Sequence, residues 1–198
     1  MIIYKKDISL FKIKNIKIGE IMERIYIVLT HTGTMLSRTI KIFTNNTYTH
    51  ASISLDKNME EMYSFGRLNP YNPFIGGFVK EGIHIGTFKR FKNTKTSIYS
   101  LEITEEQYKK MREIISEFLE NKKIYKFNFL GLVFAGIKKR YRRKNKFYCS
   151  EFVRDVLEKS EIEINDISNV LKPEDFKKLN SLKLEYTGLL RMYSLTNA

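Results

Sequence analysis

Residues 147–153 read Phe-Tyr-Cys-Ser-Glu-Phe-Val, and the fold turns on how this stretch is read. Cys149 follows a polar, basic segment and opens a run in which Cys149, Phe152, Val153, Val156 and Leu157 share one helical face. A thiol in the first turn of a helix feels the positive end of the helix dipole, which favours thiolate. The unpaired backbone N–H groups of that turn can also receive an oxyanion. The same setting suits a small buried hydrophobe, so the cysteine needs a partner before it reads as chemistry. A nucleophilic thiol requires a base on a rigid element and a third polar group that orients the base. His50 meets the first requirement. It lies in residues 48–55 (YTHASISL), an alternating segment rich in β-formers, with Ser52 and Ser54 as small polar neighbours on its own face.

The stretch 147–153 resembles the nucleophile motif of the circularly permuted NlpC-type papain-like enzymes, the YaeF/YiiX branch, and residues 48–55 resemble that group's histidine strand. Residues 32–38 (TGTMLSR) and 172–176 (KPEDF) are similar to the same branch. His50 precedes Cys149 in the chain, the reverse of ordinary papain-like enzymes. The resemblance implies an α+β, permuted papain-like (NlpC-type) fold: an antiparallel sheet packed against a helix that carries the nucleophilic cysteine. It implies acyl transfer through a thioester at Cys149 with His50 as base, and no cofactor. The leading expectation is a cysteine hydrolase or amidase acting on a peptide or cell-wall-derived fragment. A lipid acyltransferase or lipid hydrolase, as in lecithin retinol acyltransferase-like enzymes, is the alternative with a lipid-like substrate. A non-catalytic basic module for membrane or nucleic acid is the alternative of another class.

Relatives place the third polar residue on the strand after the histidine strand, which here is residues 59–65 (MEEMYSF). Glu61 and Tyr63 share one face of it and Ser64 lies on the other, so the choice stays open until the register is known. Arg67, Tyr148, Ser150 and His31 are the substrate-binding candidates: Arg67 for an anionic group, His31 near the cleft entrance, and Tyr148 and Ser150 beside the nucleophile.

A chain of 198 residues reads as one domain spanning 1–198, and with 42% hydrophobic residues it can bury a substantial core. The net charge of +13 favours polyanionic surroundings, and residues 138–146 (KKRYRRKNK) make an anionic membrane surface a candidate partner. No nucleic-acid motif accompanies the charge, which argues against nucleic acid. One cysteine excludes an internal disulfide framework, and three scattered histidines give no metal-ligand spacing. The first residues lack the pattern of a secretory signal, and the longest apolar run, residues 127–137, is too short to span a bilayer, so the expected location is cytoplasmic. Oligomeric state is not legible.

Local patterns predict a buried strand or a loop entering the core over 25–29, a helix over 34–43 capped by Thr34, and a hairpin joining 49–55 to 59–65. Residues 66–83, dense in Gly and Pro, read as a long loop that roofs the cleft. Short strands are expected at 83–87, with His84 in a structural role, and at 97–103. A helix begins at Thr104 with a capping box to Gln107, and another short one begins at Pro173. Strands are expected at 182–186 and 190–195. Residues 127–137 read as a buried helix followed by a solvated loop.

Overall fold

The computed structural model describes residues 21–33, 47–69 and 71–196. The helix expected over 34–43 lies outside the described residues, as does most of the match at 32–38.

The described chain builds strand β1 (Met22–His31), β2 (His50–Ser54), β3 (Met62–Asn69) and β4 (Asn72–Glu81), a short helix α1 (Gly86–Arg90) and strand β5 (Lys95–Thr104). Helix α2 (Glu105–Glu120) follows, then β6 (Lys126–Phe127), α3 (Phe129–Gly136), β7 (Lys146–Phe147) and α4 (Cys149–Lys159). Two 3-10 turns, Ile167–Asn169 and Pro173–Lys178, lead to β8 (Lys183–Leu189) and α5 (Leu190–Thr196).

Six strands form one sheet in the order β4-β3-β2-β1-β5-β8, every neighbouring pair antiparallel. β6 and β7 pair separately and in parallel. The architecture is α+β, as the alternation of residues 50–54 and the helical spacing after Cys149 require.

The two faces of the sheet are unequal. Ile25, Ile27, Leu29, Ala51, Ile53 and Phe65 point to the larger core, where α2 contributes Met111, Ile115 and Phe118 and α4 contributes Phe152, Val153, Val156 and Leu157. Aromatic rings dominate its centre: Phe152 lies 5.5 Å from Phe65, 5.4 Å from Phe78 and 5.1 Å from Phe118. The opposite face carries a smaller cluster, with Tyr26, Val28, Met62 and Ile98 covered by Phe88 of α1 and by Leu190 and Tyr193 of α5. Among the described residues no helix is long and apolar enough to cross a membrane.

Several expectations match. Thr104 caps α2 through the Gln107 N–H, and the Gln107 side chain returns the bond to the Thr104 N–H. The hairpin between β2 and β3 forms, its turn tied by the Asp56 carboxylate, which accepts the N–H groups of Glu60 and Glu61.

Others change. Residues 66–83 form most of a second hairpin, β3–β4, rather than a roofing loop, and Phe78 is buried in the core. Its glycines are close-approach positions within paired strands: a Cβ at Gly76 would stand 3.0 Å from Phe127. The strand expected at 83–87 is replaced by a turn entering α1, with His84 exposed. The strand expected at 190–195 is a helix, because Leu190 and Tyr193 are buried at i, i+3 spacing while Arg191 and Met192 between them face solvent. The apolar run after residue 127 is not buried: Phe129, Leu130, Val133 and Ile137 are all exposed.

Truncating the ring at the centre of the aromatic cluster tests this packing. Phe152→Ala is expected to destabilise the domain by about 3–5 kcal/mol, read as a lowered urea midpoint at unchanged m-value.

Candidate active site

His50 opens β2, Ser52 follows two residues later on the same face, and the alternation of the strand turns Ala51 to the opposite face, into the larger core. The β2–β3 ladder runs through Ile53↔Tyr63 and Ser54↔Met62, whereas β3 stays paired with β4 as far as Asn69. Toward the His50 end β2 and β3 therefore part. The Ala51 carbonyl is taken by the Ser64 hydroxyl at 2.6 Å, and the Ala51 N–H donates to the sulfur of Cys149.

Cys149, the first residue of α4, fills this parting. The helix begins without a side-chain cap on Tyr148, so the orphan N–H groups of its first turn lie beside the sulfur. From there Cys149 and His50 hydrogen-bond side chain to side chain, although one element packs on the core face and the imidazole lies on the other. The imidazole Nε2 is occupied on its far side by the Glu81 carboxylate, at 3.0 and 3.1 Å from its two oxygens. This leaves Nδ1 as the nitrogen for the sulfur. Glu81, the last residue of β4, is held in turn by the Ser52 hydroxyl, which donates at 2.6 Å. The Phe88 ring stands 6.4 Å from the imidazole.

Gly66 makes the arrangement sterically feasible. A Cβ at this position of β3 would stand 3.1 Å from a Glu81 oxygen and 3.3 Å from the imidazole Cε1. The carboxylate and the imidazole thus meet across a strand that offers no side chain there.

The electrostatics follow from this geometry. Burial alone would depress the His50 pKa, but the Glu81 charge and the hydrogen bonds to Cys149 and Glu81 push it up to about 10. Burial alone would raise the Cys149 pKa. The hydrogen bond and positive charge of His50, with the Ala51 N–H and the Ser150 hydroxyl, hold it instead below the usual thiol range. Both shifts favour the thiolate–imidazolium form of the pair over the neutral one.

Of the orienting candidates, neither Glu61 nor Tyr63 reaches His50. The Glu61 carboxylate is bound by Arg112 at 2.8 Å. Tyr63 shares its face with Ile53, opposite to the imidazole, and stacks on Phe78 at 6.1 Å. Ser64 lies on the imidazole's face, but its hydroxyl is spent on the Ala51 carbonyl. The side chains of Tyr148 and Ser150, read as substrate contacts, are buried, as is Cys149 between them; the Ser150 hydroxyl lies 4.0 Å from the sulfur. Arg67 is half-buried with its guanidinium 5.7 Å over the Phe91 ring. His31 approaches Thr49, the residue before His50, at 3.4 Å. Glu81 and Gly66 were not singled out by the sequence. The signal that would find Glu81 is a strand through residues 72–81, which the glycine pair at 76 and 77 obscures.

Behind Cys149, Glu151 is buried, and its carboxylate accepts the N–H of Tyr148 and a 3.3 Å bond from Asn128. Asn128 also caps α3 through the Gly131 N–H at 3.0 Å and donates to the Tyr141 carbonyl at 3.0 Å. One buried amide thus ties the cysteine helix to α3 and to the basic segment. Among the described residues no group of His, Cys, Asp and Glu could hold a metal ion.

A family model described as "Permuted papain-like amidase enzyme, YaeF/YiiX, C92 family" matches residues 26–189. No curated protein matches the chain.

Titration of the thiol tests the electrostatics directly. The rate of Cys149 alkylation by iodoacetamide, plotted against pH, is expected to rise with an inflection well below that of a free thiol. Glu81→Gln removes the charge that holds the imidazolium and is expected to move the inflection upward.

Proposed function

The chain belongs to the permuted papain-like amidase family, and we propose that it cleaves an amide bond through a thioester on Cys149, with His50 as proton carrier and Glu81 as the residue that orients it. The observation that carries this reading is the continuous line from sulfur to imidazole to carboxylate, closed by the Ser52 hydroxyl.

The steps follow from the positions of the groups. The Cys149 thiolate attacks the carbonyl carbon, and the negative charge moves to the carbonyl oxygen, where the N–H groups of the first turn of α4 and the helix dipole receive it. The imidazolium gives its Nδ1 proton to the leaving amine as the C–N bond breaks, which leaves an acyl thioester and neutral His50. His50 then removes a proton from water, the resulting hydroxide attacks the thioester, and the carboxylic acid departs with the thiolate restored. Glu81 does not exchange a proton in this cycle. It fixes the ring through Nε2 and stabilises its positive charge.

A peptide or a cell-wall-derived fragment is the substrate class we favour, since both offer amides beside carboxylates and the chain carries a net charge of +13. A second reading, acyl transfer or hydrolysis on a lipid, uses the same steps with a different acceptor. The exposed apolar face of α3, linked to the cysteine helix through Asn128 and Glu151, favours it. The two readings separate by product: an amidase releases an amine and a free acid, whereas an acyltransferase passes the acyl group to an added alcohol or amine.

Activity against an amide and ester library is expected to vanish in Cys149→Ala. In Glu81→Gln, kcat/KM is expected to fall on the order of 10²-fold, with the thiol still open to alkylation. The wild-type rate is expected to fall as pH rises through about 10, where His50 loses the proton that the leaving amine needs. Full turnover in Cys149→Ala would overturn the proposal.

A further inference from the structure

Helix α3 reverses the usual economy of a surface helix. At about 100° per residue, Phe129, Leu130, Val133 and Ile137 fall on a single arc, and all four are exposed, Val133 at 66% and Ile137 at 62%. The buried side of the helix is made by its smallest residues, Gly131 and Ala135. A Cβ at Gly131 would stand 2.2 Å from the amide nitrogen of Asn128, the helix's own cap, and 3.0 Å from the Tyr141 carbonyl, so this face has no room for a larger side chain there.

The cations begin where the apolar face ends. Lys138 takes a left-handed conformation (φ 58°), and its N–H and that of Lys139 bond to the Ala135 and Phe134 carbonyls. This closes the helix with a turn that ordinarily favours glycine. Residues 138–144 are then exposed throughout. Tyr141 lies among them, its ring stacked on Phe134 at 4.9 Å. Arg142 approaches Glu158 at 3.6 Å. Among the described residues Lys138, Lys139, Arg140, Arg143 and Lys144 form no ion pair, so most of the segment's charge has no described acidic partner.

An apolar arc, an aromatic ring at its border and unpaired cations beside it match the layers of an anionic bilayer: acyl chains, interface and phosphate headgroups. We infer that α3 and residues 138–144 form a docking element for an anionic lipid surface, with Phe129, Leu130, Val133 and Ile137 entering the acyl region and the following cations holding the headgroups. A protein partner would meet the apolar arc equally well, but charge complementarity along the adjoining segment selects the lipid surface. The inference does not rest on the amidase reading, because binding is measured without turnover. It adds that the cysteine helix is presented to a membrane through the bonds of Asn128.

Vesicle flotation of the full chain tests it. Wild type is expected to bind phosphatidylcholine vesicles containing phosphatidylserine, to bind pure phosphatidylcholine weakly, and to release as the Debye length falls to about 3 Å at 1 M salt. Val133→Asp combined with Ile137→Asp, and separately Arg143→Glu combined with Lys144→Glu, are each expected to lower affinity at least about tenfold. Lys57→Glu with Lys92→Glu removes equal charge at exposed sites elsewhere and is expected to leave binding near wild type. The chain has no tryptophan, so Phe129→Trp supplies a single reporter whose emission is expected to shift to the blue on the anionic vesicles and to be quenched by brominated acyl chains. No binding to phosphatidylserine vesicles at low salt, equal loss in the Lys57/Lys92 variant, or an unshifted tryptophan on bound protein would each overturn the inference. So would a wild-type dimer in sedimentation that Val133→Asp with Ile137→Asp converts to monomer, since the arc would then be an interface between copies.

Discussion

Everything at the site depends on the parting of β2 from β3. In an unbroken sheet the imidazole of His50 and the helix α4 would stay on opposite faces, separated by backbone. Because the ladder stops after Ile53↔Tyr63, the Ala51 amide is free to meet the sulfur, and the first residue of α4 reaches through to the imidazole. The opening exposes backbone polar groups, and each has a new partner: the Ser64 hydroxyl for the Ala51 carbonyl, the cysteine sulfur for the Ala51 N–H. Cys149 thus completes the sheet that positions His50.

The charges are arranged so that no member of the site is left unbalanced. A buried carboxylate such as Glu81 is costly unless paired, and it is paired twice, to the imidazole and to the Ser52 hydroxyl. The imidazole lies between the Glu81 carboxylate and the Cys149 sulfur; both raise its pKa, and it lowers that of the thiol. Gly66 is the steric counterpart of this balance, since any side chain there would meet both the carboxylate and the ring.

How much of this was legible in the sequence depends on how local each signal is. The capping box of α2, the inward face of α4 and the alternation of β2 are written in consecutive residues, and the structure follows them. The order of His50 and Cys149 pointed to the permuted family, to which the chain belongs. Glu81 was missed because its pairing is non-local: it sits two strands from His50, at the end of a segment whose glycines read as loop but serve as close-approach positions within strands. Glu61 and Tyr63 lie on the strand that was expected to supply the orienting residue, but the register directs one to Arg112 and the other into the aromatic core. The outward face of α3 escaped for a different reason. An apolar run of that length reads as buried, and only the packing of Gly131 and Ala135 shows which side of it is turned in.

The central claim is that His50 is an imidazolium held between Glu81 and the Cys149 thiolate. Nitrogen-15 NMR of the His50 ring across pH tests it most directly, since the two ring nitrogens report protonation and tautomer separately. The account predicts that both nitrogens remain protonated through neutral pH and that the ring titrates near about 10. It further predicts a lower pKa in Cys149→Ala, where the thiolate is gone. A neutral His50 ring at pH 7 in the wild-type protein, unaffected by loss of the cysteine, would contradict it.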